Sequence, residues 1–299
     1  MGYLDFDAFL LPGERGGGGA VFCLMELVDC RVDGRVAFLE MRGSKLNCLS
    51  GRLCREMVDA FASLASEDIF AIVLRAPEGS RVWSAGHDIS ELPKRSRDPL
   101  SYSVPMEHLL RAVEDARVPV IALVEGGVWG GACDLCTVCD MIVADENATF
   151  AITPAKIGIP YNASGLMHFV NAMSLNKAKE MFFTASPITA QDAYNMGFVN
   201  YVAPSGKLME VLNEKLLDKM RGNSVLAMSA IKRQFSLIMK ARASLSAERF
   251  ERMQAWRRAV YDGDDYEEGI RAFFEKRPPA FKGRADELDL ILKNNTAKE

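Results

Sequence analysis

The chain has 299 residues, 49% of them hydrophobic and 25% charged, which excludes a disordered, collagen-like or low-complexity polymer and leaves ample length for a buried core. Its 36 Lys and Arg against 40 Asp and Glu give a formal net charge of −4, so no global positive field exists to hold nucleic acid or an anionic membrane. The seven cysteines are scattered through apolar segments and read as free thiols of a reducing, cytoplasmic compartment.

The N-terminus lacks the basic stretch of a secretory signal, and Gly16 to Gly19 mark a flexible leader over residues 1–21. Val28 to Val32 and Val36 to Met41 read as hairpin strands about Asp33-Gly34. Ser50 is an N-cap candidate for a helix reaching Ser66, because Leu53, Met57, Val58, Phe61 and Leu64 recur at helical spacing. Phe70 to Arg75 and Val118 to Val124 read as strands covered on both faces, with a helix from Met106 to Ala116 between them. Gly126, Gly127, Gly130 and Gly131 lead into another helix, followed by strand-like Met141 to Ala144 and Thr149 to Ile152. Glu125, Asp134 and Asp140 interrupt this most hydrophobic stretch before it approaches the roughly 18 residues of a membrane span. Repeated strand-helix-strand passage predicts an α/β core over 22–203. After about Leu166 the pattern becomes almost wholly helical, with starts at Ser174, Thr189, Lys207, Ser224, Ser246 and Asp264 and one short strand, Val199 to Val202. Residues 204–299 are thus expected to form a C-terminal helical region.

Two loops can carry chemistry. Ser84-Ala85-Gly86-His87-Asp88-Ile89 and Glu125-Gly126-Gly127-Val128-Trp129-Gly130-Gly131-Ala132 each follow a buried strand, where α/β folds place ligands. Glycine lets a backbone NH approach a ligand, and an NH at a helix N-terminus is unsatisfied and lies at the positive end of the dipole. One NH from each loop would make an oxyanion hole, although glycine-rich turns also serve as plain tight connections. Cys133, Cys136 and Cys139 have the spacing of an iron-sulfur run but lack its fourth Cys-Pro, and read as core. Asp262-Gly263-Asp264-Asp265 does not match the order of an EF-hand loop and reads as a capped turn.

The segments SAGHDI, VEGGVWGGACDL, VCDMIVA and ATFAITPAKIGIPYNASG resemble the core of the crotonase, or enoyl-CoA hydratase/isomerase, superfamily over roughly Val28 to Lys282. Within it, RAPEGSRVWSAGHDISELP, RDPLSY, FTASPITAQ and RRAVYDGDDYEEG are similar to the branch that decarboxylates methylmalonyl-CoA. The resemblance implies a spiral core of repeated ββα units, with the C-terminal helices serving trimerisation and covering the acyl-CoA pocket. It also implies that the NH groups of His87 and Gly131 hold the thioester oxygen. Tyr161, with Thr153 nearby, matches the tyrosine that contacts the departing carboxylate. A buried tyrosine bonded to a backbone carbonyl is the alternative. Asp134 matches one acid/base glutamate of the hydratases but is one methylene shorter, and its alternative is a helix-start carboxylate. Ala155 falls where their second glutamate sits. Lys45 resembles a residue near the CoA phosphates, Lys276 or Lys282 would serve the nucleotide end, and Ala85 is placed with these on the CoA side.

Decarboxylation of methylmalonyl-CoA or a close malonyl thioester is therefore the leading expectation, with no metal or organic cofactor. Hydration or isomerisation by Asp134 alone is the second reading, and a non-catalytic thioester-binding protein the third. The expected partner is an acyl-CoA or acyl-carrier thioester, with no nucleic acid and no membrane, in a homotrimer or dimer of trimers.

Overall fold

The computed structural model describes residues 25–43, 45–92, 104–242, 245–285 and 288, so the leader and the RDPLSY segment lie outside the described residues. The hairpin forms as its sequence predicts: β1 (Val28–Asp33) and β2 (Val36–Met41) pair antiparallel, with Gly34 at φ 58° in the turn. Ser50 caps α1 (Gly51–Ser63), its side chain accepting the Leu53 NH at 3.2 Å. Two strands follow, β3 (Ala71–Arg75) and β4 (Val82–Ser84), then α2 (Pro105–Glu114). The unit repeats as β5 (Val120–Val124), β6 (Gly127–Trp129) and α3 (Gly131–Val138). It repeats again as β7 (Met141–Asp145), β8 (Thr149–Ala151) and α4 (Ala163–Ala172).

The first strand of each unit enters a six-stranded sheet of order β1-β2-β3-β5-β7-β10, and the second enters a four-stranded sheet, β4-β6-β8-β9. Beyond α4 come α5 (Leu175–Thr184), β9 (Ile188–Thr189), α6 (Ala190–Asn195) and β10 (Tyr201–Ala203). Helices α7 (Leu208–Leu212), α8 (Asp218–Arg221), α9 (Val225–Arg242), α10 (Ala247–Tyr261) and α11 (Asp264–Glu275) follow among the described residues.

Strand β5 shows why its sequence is apolar throughout. Val120, Ala122 and Val124 enter one buried cluster with α1, α2 and α3, whereas Ile121 and Leu123 enter a second with Leu212, Leu216 and Met220. Both faces are covered, and each buried Val, Ile or Leu side chain here contributes about 1.5–3 kcal/mol. The sequence reading missed β4, β6 and β9, which are two or three residues long and carry no run for periodicity to detect. The one short strand expected in the helical half, Val199 to Val202, begins later, as β10 at Tyr201.

Cys133, Cys136 and Cys139 are buried free thiols, and no metal-holding cluster occurs among the described residues. No helix among the described residues is long and apolar enough to cross a membrane.

Candidate active site

The two glycine-containing loops meet at the start of α3. Backbone hydrogen bonds clamp the first loop: the Ala85 NH donates to the Leu46 carbonyl at 2.9 Å, and the Leu49 NH to the Gly86 carbonyl at 2.8 Å. In a planar trans peptide the NH points opposite to the carbonyl, so the His87 NH is turned away from Leu49. In the second loop the Gly130 carbonyl accepts the Cys133 NH at 3.0 Å, which directs the Gly131 NH out of the N-terminal end of α3. Gly86 has φ 82°, and a Cβ there would overlap the Trp129 carbonyl and lie 2.8 Å from the Gly131 nitrogen. A Cβ on Gly131 would lie 3.4 Å from the His87 nitrogen and 2.6 Å from Met106 Cε. At Gly86 only glycine permits so close an approach, and at Gly131 a Cβ would have to displace the end of Met106. Neither NH has an acceptor among the described residues.

The NH pair opens on a narrow cavity of about 70 Å³. Ile89, Leu92, Met106, Ile157 and Ile159 form its apolar wall, and Glu107, Asp134, Thr153 and Tyr161 its polar one. Burial lowers the pKa of the His87 imidazole against the opposing pull of Glu91 and Asp88. A ring held neutral this way leaves the positive potential at the site to the backbone NH groups.

Asp134 is 2% exposed, and both its carboxylate oxygens are engaged. Oδ2 accepts from the Tyr161 hydroxyl at 3.3 Å, while Oδ1 lies 2.7 Å from His168 Nδ1 and accepts from Thr137 Oγ1 at 3.3 Å. Tyr161 therefore bonds a carboxylate, and its ring is held edge-on by Phe169 and Phe182 at 6.0 and 5.0 Å. A Cβ on Gly165 would overlap that ring, so the glycine sets where Tyr161 lies. Burial, reinforced by the Asp134 charge, raises the Tyr161 pKa well above the ordinary phenol value and keeps the hydroxyl protonated.

Glu107 and His168 were not singled out from the sequence. Glu107 is buried and accepts from Asn162 Nδ2 at 2.6 Å; burial and then Asp134 raise its pKa, against Asn162, His168 and Arg111. A glutamate beside Met106 on an otherwise apolar helical face was the available signal for Glu107. For His168 there was none, because the 34 residues that separate it from Asp134 carry no regular spacing.

Of the CoA-side candidates, Ala85 lines the cavity and the side chain of Lys45 lies outside what is described. Lys276 and Lys282, expected at the nucleotide end of CoA, are exposed and lie outside the lining of this cavity. Lys276 caps α11 in the left-handed conformation, and Lys282 sits in a tail tied through its backbone NH to Asp265. Ala155 is likewise exposed, on the turn Pro154–Ile157. That turn packs against α11, whose Gly269 abuts the Ile157 carbonyl, so the C-terminal helices brace one wall of the site.

The enoyl-CoA hydratase/isomerase family model matches residues 32–284. Methylmalonyl-CoA decarboxylase of Escherichia coli (strain K12) is 41% identical over 250 residues, covering 83% of this chain and 95% of its own length. The 2,3-dehydroadipyl-CoA hydratase of the same strain is 30% identical, covering 87% of this chain and 100% of its own. A methylmalonyl-CoA decarboxylase structure in complex with 2-nitronate-propionyl-CoA superposes with a TM-score of 0.83 at 40% identity, covering 87% of this chain and 99% of that one. Another, complexed with 2S-carboxypropyl CoA, superposes with a TM-score of 0.84 at 39% identity, covering 88% and 100%.

Proposed function

Because the chain belongs to the enoyl-CoA hydratase/isomerase family, we propose that its cavity decarboxylates methylmalonyl-CoA, or a close malonyl thioester, to propionyl-CoA and CO2. The observation that carries this reading is the unengaged NH pair of His87 and Gly131, aimed into a small and largely apolar space. A thioester oxygen seated between the two NH groups gains negative charge as the C–C bond to the carboxylate breaks, and donors already in place stabilise it without reorganisation. A carboxylate held perpendicular to the thioester plane has its bond electrons aligned with the carbonyl, so the walls act by orientation. Thr153 and Tyr161 are the groups we assign to that task, with Asp134 holding the Tyr161 hydroxyl. The cavity admits a short branched acyl group, and the CoA portion lies outside it, where Ala85 and the lysines at 45, 276 and 282 remain its candidate contacts. The reaction so written uses no metal or organic cofactor. We further place the enzyme in the cytoplasm, as a homotrimer or dimer of trimers, with residues 204–299 supplying the subunit contacts and part of the pocket cover.

Hydration of an enoyl thioester is a second reading with one observation behind it. Hydration needs ionisable groups within hydrogen-bond reach of a water. Ala155 supplies none, but Glu107 brings a second carboxylate to the cavity from a different element. Mass-spectrometric detection of CO2 loss across a panel of malonyl thioesters, run beside crotonyl-CoA hydration, separates the two. We expect CO2 loss that is fastest for methylmalonyl-CoA. Hydration without CO2 loss would replace this reading with the second, and tight thioester binding without turnover would leave a binding protein.

A further inference from the structure

Asp134 lines the candidate active-site cavity, but its hydrogen-bonded chain leads out of it. On the far side, His168 Nδ1 is 2.7 Å from Asp134 Oδ1, and His168 Nε2 is 3.7 Å from Glu114 Oε1. Glu114 and His168 both line a different cavity, open to solvent and about 300 Å³ in volume. His168 and Thr137 both touch Asp134 Oδ1 from behind and line that second space, and of the two only His168 carries a titrating group. The carboxylates around it are Asp134 on α3 and Glu114 and Glu107 on α2, and Lys232 and Asp140 line the open cavity beside it. Burial disfavours the imidazolium, but the three carboxylates outweigh it and raise the pKa above the ordinary histidine value.

We propose that Asp134, His168 and Glu114 form a proton relay from the open cavity to the enolate, with His168 as the positioning and reloading residue of Asp134. The inference rests on the decarboxylation reading above. Loss of CO2 leaves the electron pair of the broken C–C bond in the enolate, and the enolate carbon must take one proton to become the product thioester. That proton leaves the Asp134 carboxyl, which receives it from His168 Nδ1. The neutral imidazole left behind keeps its Nε2 proton, so it reloads by a ring flip that turns Nδ1 to the open cavity, where solvent protonates it beside Glu114. One proton enters per turnover, and none is taken through the mouth that the CoA chain fills. The Tyr161 hydroxyl and Thr137 fix the Asp134 carboxylate in the plane from which it delivers.

The test follows the α-carbon separately from CO2. In D2O, the wild-type full-length protein should exchange the C2 hydrogen of propionyl-CoA, read by mass spectrometry, and should release CO2 from methylmalonyl-CoA. His168→Ala should lower C2 exchange on the order of 10²-fold, the size of a lost general acid–base group, and should lower CO2 release by much less. Because His168 borders the open cavity, added imidazole should restore exchange, whereas pyrazole, of the same shape but a far weaker base, should not. His168→Gln, which keeps a donor toward Asp134 without a titrating group, should show the same loss. Undiminished exchange in a folded His168→Ala or His168→Gln variant would overturn the relay, as would equal rescue by pyrazole or a wild type that releases CO2 without exchanging C2. A wild type that releases no CO2 would instead sink the decarboxylation reading.

Discussion

Gly131 shows how one missing methyl group sets the chemistry. Its NH is the first of α3, without an intrahelical partner, and its Cα hydrogens face Met106 and the His87 NH across gaps that a Cβ would close. Replacing it with proline removes the NH outright. The proline ring is compatible with a first helical position, and the nearest obstacle is the flexible end of Met106. We therefore expect Gly131→Pro to fold and to lose kcat on the order of 10²-fold, the usual consequence of deleting one oxyanion donor. Circular dichroism checks the fold and CO2 release checks the rate, and undiminished turnover in a folded variant would remove this NH from the mechanism. In the proposed mechanism His87 acts at the same scale through its backbone; its imidazole is half-buried, and Nδ1 has no hydrogen-bond partner among the described residues.

At the scale of elements, α9 is fastened across the end of the core by two lysines of very different worth. Lys232 is 7% exposed and bonds Asp140 at 2.7 Å, as well as the carbonyls of Val113 and Val118 at the end of α2 and the start of the β5 segment. Eight residues further along, Lys240 meets Asp115 at 3.1 Å, with both side chains more than half exposed. Lys232 is buried but Asp140 is exposed and stays solvated without it, so Lys232→Ala chiefly leaves the buried Val113 and Val118 carbonyls without this donor and should cost about 1–3 kcal/mol. The exposed pair is screened by water, and Lys240→Ala should cost less than about 1 kcal/mol. Urea unfolding of both variants measures the difference, and equal midpoints would show that Lys232 does not anchor the helix.

At the scale of the whole molecule, the apolar residues left in solvent gather on the C-terminal helices. Leu226, Ile231, Phe235, Leu237 and Ile238 are exposed on α9, Phe250 and Trp256 on α10, and Phe273 and Phe274 on α11. Exposed apolar surface concentrated in this way marks an association face, and it supports the proposed oligomer. The double variant Leu226→Glu/Leu237→Glu, on exposed residues of α9 away from the open cavity, should lower the mass measured by sedimentation to that of a smaller assembly, because charges buried at such a face are not matched by a partner. An unchanged sedimentation coefficient would move the contact to α10 or α11. The same helices brace the site from within the chain, since α11 lies against Pro154–Ile157 and the Tyr261 hydroxyl donates to the Pro160 carbonyl at 3.4 Å.

What the sequence determined by itself was local or carried by long motifs. Asp33-Gly34 dictated a hairpin, Ser50 and the Thr189/Asp192 capping box dictated helix starts, and VPVIALV dictated a strand covered on both sides, because each rests on neighbours a few residues apart. The motifs SAGHDI and VEGGVWGGACDL identified the family, and with it the two loops whose NH groups meet. Tertiary structure alone decided the rest of the candidate site. The short strands β4, β6 and β8 place the loops side by side through pairings that no periodicity announces. Helix packing brings Glu107 from α2 and His168 from α4 to Asp134 on α3, and it leaves Lys276 and Lys282 at the surface. A carboxylate's partners and burial are properties of the space around it, and contacts between helices dozens of residues apart leave no repeating trace along the chain.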